Sequence, residues 1–193
     1  MGKVVVTEFI TLDGVVEDPG GGETFEHGGW SFKFDRGKEG DQFKMQELEA
    51  ADAQLLGRVT YEGFARAWPS MGDNPFGEKM NAMPKYVVSR TLDDADATWN
   101  NSKVIGQDLP TEVAQLKEQI AGDILVAGSA RLVQGLTEHG LVDEYRLMLF
   151  PVVLGAGKRL FAEGTARTTL RLTDTNPVGP DGVIVLTYQP SRA

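Results

Sequence analysis

The feature that most constrains this chain is the alternation of short apolar runs, rich in β-branched residues, with segments of helical period. VVVTEFITL (4–12), AQLLG (53–57), KYVVS (85–89) and ILVAG (124–128) each read as a strand. Between the first two, about 39–53, FKMQELEAADA sets Phe43 and Leu48 at helical spacing. GRVTYEGFARAW starts a second helix, which Pro69 helps to end; 74–80 suits a short one, and Pro110 and Thr111 open another that runs through Ile120. Strands that alternate with helices imply a mostly parallel sheet covered on both faces. After a last helix, ARLVQGLTEHG, the pattern changes. VDEYRLMLFPVVLG reads as a long strand, and TTLRLTDTNPV and GVIVLTYQP as a terminal antiparallel pair. The expectation is a single α/β domain over residues 1–193, with no repeat and no linker.

Composition narrows the function classes. The net charge of −9 repels a phosphate backbone and no Lys/Arg cluster offsets it, so nucleic acid is a disfavoured partner. No cysteine is present, and His27 and His139 are the only histidines, which argues against a metal site. No apolar run approaches the roughly 20 residues of a membrane span. Thr7, Glu8 and Asp13 interrupt the apolar N-terminus and no small-residue cleavage site follows, so it reads as a first strand and the protein as cytoplasmic.

In parallel sheets ligands bind at the carboxyl ends of the strands, which directs attention to the residues just after them. In DILVAGSARLVQGL, Gly128 allows a sharp turn and Ser129 can cap the helix, leaving backbone N–H groups of residues 129–131 free for an anion. Any strand-to-helix turn would also favour Gly-Ser, so the stretch alone leaves both readings open. LLGRVTYEGF places Arg58 and Thr60 in the first turn of a helix, and VVSR places Ser89 and Arg90 at a comparable strand end. Two Arg forks there favour a phosphorylated ligand over solvated surface side chains. GAGKRL (155–160) lacks P-loop spacing and reads as a bend after a strand. The loop DPGGGETFEHGG, with five glycines, is a candidate lid.

MGKVVVTEFITLDGVV, LLGRVTYEGF, KYVVSRTL, ILVAGSARLVQGL and LVDEYRLMLFPVVLGAGKRLF, in this order, resemble the dihydrofolate reductase-like superfamily. They are most similar to the reductase domain that ends the bifunctional riboflavin-biosynthesis deaminase-reductase, and to its stand-alone relatives. The resemblance implies a three-layer α/β domain with a mostly parallel central sheet and antiparallel C-terminal strands, binding NADPH in an extended groove, and a homodimer. It assigns cofactor phosphates to Arg58 and Thr60, the 2′-phosphate to Ser89 and Arg90, and the pyrophosphate to Gly128, Ser129, Ala130, Arg131 and Leu132. Many relatives have two glycines, often joined by a cis peptide, where this chain has Gly128-Ser129.

On the other side of the groove the resemblance puts Asp13 and Val16 near the nicotinamide, with Thr7 and Phe9 on the strand floor. Trp30 and Asp35 show the spacing of the family's tryptophan and substrate-pocket carboxylate, making Asp35 a candidate proton donor or substrate anchor. Trp30, Phe32 and Phe34 could stack on a planar heterocycle or pack as core or lid. Glu8 is odd in so apolar a strand: it is either a salt-bridged or strand-end carboxylate, or an acid that supplies or orients a proton. The implied function is an NADPH-dependent reductase acting on a small heterocyclic or carbonyl substrate. The rival is a non-catalytic nucleotide-binding or dimeric scaffold. The missing Cys/His zinc motif means that this chain alone cannot deaminate.

Overall fold

The computed structural model describes residues 1–191. It holds one eight-stranded sheet with strands β1 (Lys3–Thr11), β2 (Ala51–Gly57), β3 (Lys85–Val88), β4 (Ser102–Ile105), β5 (Asp123–Ala127), β6 (Glu144–Phe150), β7 (Leu170–Val178) and β8 (Val183–Pro190). Their order across the sheet is β4-β3-β2-β5-β1-β6-β8-β7. Every pairing from β4 to β6 is parallel, and β8 runs antiparallel to both β6 and β7.

Helices fill both faces, because alternate side chains of each buried strand must be covered on both sides. Helices α1 (Gly37–Ala50), α2 (Arg58–Ala67) and α3 (Pro75–Ala82) cover one face, where Leu48, Tyr61 and Met80 pack on Val5, Leu56 and Val87. Helices α4 (Leu109–Gln119) and α5 (Ala130–Glu138) cover the other, where Val113, Leu116, Leu132 and Leu136 pack on Val4, Val6 and Val126. A third apolar group of Trp30, Met148, Phe150, Val183 and Val185 lies under the C-terminal strands.

Local chemistry sets several boundaries. Asn74 caps α3 by accepting the Gly77 N–H at 3.0 Å, with Pro75 at the first helical position. The expected helix to residue 53 stops at Ala50, since Ala51 and Ala53 are already buried strand positions of β2. The long strand expected over 142–155 is only half formed. It ends at Phe150 because Pro151 has no N–H to continue the ladder, and Gly155 then turns the chain at φ 75°. The glycine-rich loop 18–29 is folded on itself rather than open. The Asp18 carbonyl accepts N–H groups from Gly21 and Gly29, and Ser31 Oγ donates to the Pro19 carbonyl at 2.7 Å.

Candidate functional site

Because β1, β2, β3 and β5 run parallel, their carboxyl ends share one edge of the sheet. Arg58 and Thr60, Ser89 and Arg90, and the Gly128–Leu132 turn are thereby collected along it. β5 inserts between β2 and β1, and the connections leaving β1 and β5 run to opposite sides, which opens a crevice at that edge.

The start of α2 and the start of α5 meet there. Ser129 N–H donates to Thr60 Oγ1 at 2.9 Å, and Gly57 N–H donates to Ser129 Oγ at 2.9 Å. Ser129 therefore does not cap its own helix as the sequence suggested; its hydroxyl is spent on the neighbouring strand end. Gly128 and Ser129 both lie in the left-handed region, at φ 62° and 63°, and no peptide bond among the described residues is cis. A Cβ at Gly128 would come within 3.0 Å of Thr60 Cγ2 and close the space between the two helix starts. Two helix N-termini with unpaired N–H groups and positive dipole ends make this turn suited to a diphosphate. Arg58 at the same corner holds only a loose exposed pair with Glu62, 3.8 Å away, and Arg131 is exposed. Ser89 Oγ accepts N–H bonds from Thr91 and Leu92, which shapes the turn that presents exposed Arg90.

Glu8 stands beside this turn. Its neighbour Thr7 is the last β1 residue paired with β5, opposite Ala127, whereas on the other side β1 stays paired with β6 as far as Thr11. The residue is 3% exposed and, among the described residues, forms no salt bridge and has no hydrogen-bond partner for its Oε1. Burial pushes the carboxyl well above the ordinary carboxylate range, against the opposing pull of the Lys44 charge and the Gly128 backbone amide.

Asp13 is saturated. Thr11 Oγ1 donates to Oδ1 at 2.6 Å and Gly155 N–H to Oδ2 at 2.8 Å, with Leu154 N–H at 3.3 Å. The Thr11 hydroxyl and then the two backbone amides hold its carboxyl below the usual range, so Asp13 is a fixed acceptor that ties the loop after β6 to the end of β1. Val16 is buried against Ile10 and Leu160, its N–H donating to the Lys158 carbonyl.

On the α1 face of β1, Thr7 is buried and Phe9 half-buried, and neither lines the open groove beside Phe34. Lys44 Nζ donates to Thr7 Oγ1 and to Glu47 Oε2, both at 2.7 Å, and lies 5.4 Å from the Phe9 ring centre. The Arg36 guanidinium lies 5.1 Å from the same ring. Sequence reasoning missed both cations, although their separation of eight residues, about two helical turns, would put them on one side of α1. Phe34 packs edge-on against Phe150 and lines an open groove with Phe32, Asp35 and Arg36. Asp35 is exposed there; its Oδ1 accepts the Gly37 N–H at 2.7 Å and its own N–H donates to Asp181 Oδ2 at 2.7 Å. The hairpin turn after β7 comes so close that a Cβ at Gly179 would collide with the Asp35 and Arg36 backbone. Trp30 is not in the groove. It is 1% exposed, packed edge-on against Phe150, with its indole N–H donating to the Glu17 carbonyl, so its face is unavailable for stacking.

This arrangement defines the class: a dihydrofolate reductase-like α/β fold with a crevice at the carboxyl edge of its sheet. The structure aligns over 99% of this chain and 98% of that chain with dihydrofolate reductase from Enterococcus faecalis, solved with NADP(H), at TM-score 0.60 and 14% identity. A protein ascribed to riboflavin biosynthesis from Shewanella sp. PV-4 aligns over 100% of both chains at TM-score 0.77 and 21% identity. The chain belongs to the RibD C-terminal domain family, whose model matches residues 2–184. It is 30% identical to YyaP of Bacillus subtilis (strain 168) over 191 residues, 96% of this chain and 94% of that protein. No helix among the described residues is long and apolar enough to cross a membrane.

Proposed function

We propose that this chain is an NADPH-dependent reductase that acts on a small heterocyclic substrate of pterin, pyrimidine or flavin-precursor type, or on a carbonyl compound. The observation that carries this reading is the meeting of two helix starts at Gly128 and Thr60, with space that a side chain at residue 128 would fill. That corner suits the pyrophosphate of a dinucleotide, with Arg58 beside it and Ser89 and Arg90 further along the same edge for the 2′-phosphate. Ala130, Arg131 and Leu132 continue the turn, and Val16 and Asp13 border the nicotinamide end.

NADPH, when bound, supplies the hydride; the protein supplies orientation, electrostatics and water exclusion. Phe9 and Phe34 offer apolar surface to a planar ring, while Lys44, held in place by Thr7 and Glu47, and Arg36 offer hydrogen-bond donors to its polar edge. Asp35 at the groove is the candidate substrate anchor and proton source. Asp13, held ionised by its donors, acts as a positioning residue for the loop over the site. We further read the chain as one domain working in the cytoplasm as a homodimer. The exposed edge strand β7, with Leu172 in the open, is the surface that motivates the dimer, and a monomeric mass by light scattering at micromolar concentration would remove it.

Cofactor fluorescence titration tests the central claim. The wild type binds NADPH more tightly than NADH, and the double variant Arg58→Ala, Arg90→Ala loses NADPH affinity far more than NADH affinity. Equal loss for both would sink the 2′-phosphate assignment, and NADPH binding without oxidation across a broad pterin, pyrimidine and carbonyl panel would sink turnover.

A further inference from the structure

Glu8 is the one buried acid at the crevice that neither the fold nor the proposed chemistry uses. It shares the α5-facing side of β1 with Val4, Val6 and Ile10, where an apolar residue would pack without cost. Its place in the strand is specific: one residue past the last β1–β5 pair, beside the Gly128 amide.

The surrounding elements bring little charge to it. On β6 it faces Leu147, and β5 ends beside it in Ala127 and Gly128. The nearest cation on α5, Arg131, is exposed. From α1 comes Lys44, whose ammonium is already engaged by Glu47 and Thr7. An ionised Glu8 would therefore place a poorly compensated negative charge, in a medium of low polarity, under the turn that is suited to a diphosphate. Protonated, it leaves that turn free of opposing charge.

We propose that Glu8 couples occupancy of the Gly128–Ser129 turn to the uptake of a proton, so that the site takes a dinucleotide together with one proton and releases both when Glu8 ionises. The inference rests on the reading of this turn as a pyrophosphate seat. The coupling is electrostatic and needs no contact between Glu8 and ligand. The sealed carboxyl is screened neither by water nor by salt, and the charges of the ligand phosphates raise its proton affinity. Burial, which already favours the neutral acid in the free protein, acts in the same direction.

The test is isothermal titration of the full chain with NADPH and with NADH, in pairs of buffers of different ionisation enthalpy, from pH 5 to pH 9.5. NADH carries no 2′-phosphate, so proton uptake seen with it does not come from that group. The wild type is expected to take up a fraction of a proton with both ligands. Its Kd should rise with pH, with a limiting slope of about tenfold per pH unit. Glu8→Gln, or Glu8→Leu should the first fold poorly, should bind with no net uptake and a flat profile. Wild-type binding without proton uptake, or the same uptake in both variants, overturns the inference and leaves the reductase reading intact. Failure of the wild type to bind either dinucleotide at any pH overturns both.

Discussion

Two buried ionisable residues, Lys85 and Glu8, sit on strands of the same sheet and have opposite surroundings. Lys85 opens β3 with 0% exposure, and its ammonium donates to the carbonyls of Asn81 and Met83 at 2.8 Å and of Asn100 at 2.9 Å, with the Trp99 ring 4.1 Å away. All three of its donors are used, and they tie the end of α3 to β3 and to the loop before β4. Glu8 is almost as buried and has an oxygen without any partner. A fully satisfied buried charge holds a fold together; an unsatisfied one costs stability and persists where a site uses it.

Replacing Lys85 offers the largest effect. Lys85→Met strands three carbonyls and is expected to lower unfolding free energy by about 3 kcal/mol in chemical denaturation, with NADPH affinity unchanged. A loss below about 1 kcal/mol would break the comparison from the lysine side. The acid should behave in reverse: Glu8→Leu removes an orphaned polar group and is expected to raise stability by about 1–2 kcal/mol. A destabilised Glu8→Leu would class the acid with the lysine as structural.

The smallest effect is a pair of opposite pH slopes. Glu8 has a raised pKa when folded, so above the unfolded value of about 4.3 the native state keeps a proton that the unfolded chain has released, and stability falls as pH rises through the folded pKa. Burial pushes Lys85 down to about 8; between there and an unfolded value of about 10.4 the unfolded chain holds the extra proton, and stability rises with pH. Each slope is at most about 1.4 kcal/mol per pH unit. Subtracting the Glu8→Leu or Lys85→Met curve from that of the wild type isolates each slope, and a difference of the wrong sign refutes the assignment.

Much of the fold was legible in the sequence because its signals are local. VVVTEFITL, ILVAG and the terminal pair carry their strand character in their own composition, and the helix starts at Pro75, Leu109 and Ala130 follow turn and cap residues. Where the reading failed, a distant partner decided. Trp30 had two readings, stacking surface or core, and Phe150 and the Glu17 carbonyl decided for the core. Ser129 looked like a cap until Gly57, from another strand end, took its hydroxyl. Arg36 and Lys44 carried no reading in the sequence at all, because what marks them is the Phe9 ring of another element beneath both.

By itself the sequence determined the order and type of the elements, the parallel-then-antiparallel sheet, and the strand ends at which a ligand would be sought, since these depend on period, turn chemistry and residue type within short windows. The tertiary structure alone decided which polar residues are satisfied. Lys85 and Glu8 are each one charged residue in an apolar strand segment, indistinguishable by pattern. Their difference lies in partners brought from 15 residues away, at Asn100, or not brought at all. Hydrogen-bond satisfaction is a property of three-dimensional neighbours, and it separates the residue that ties the fold from the residue poised beside the site.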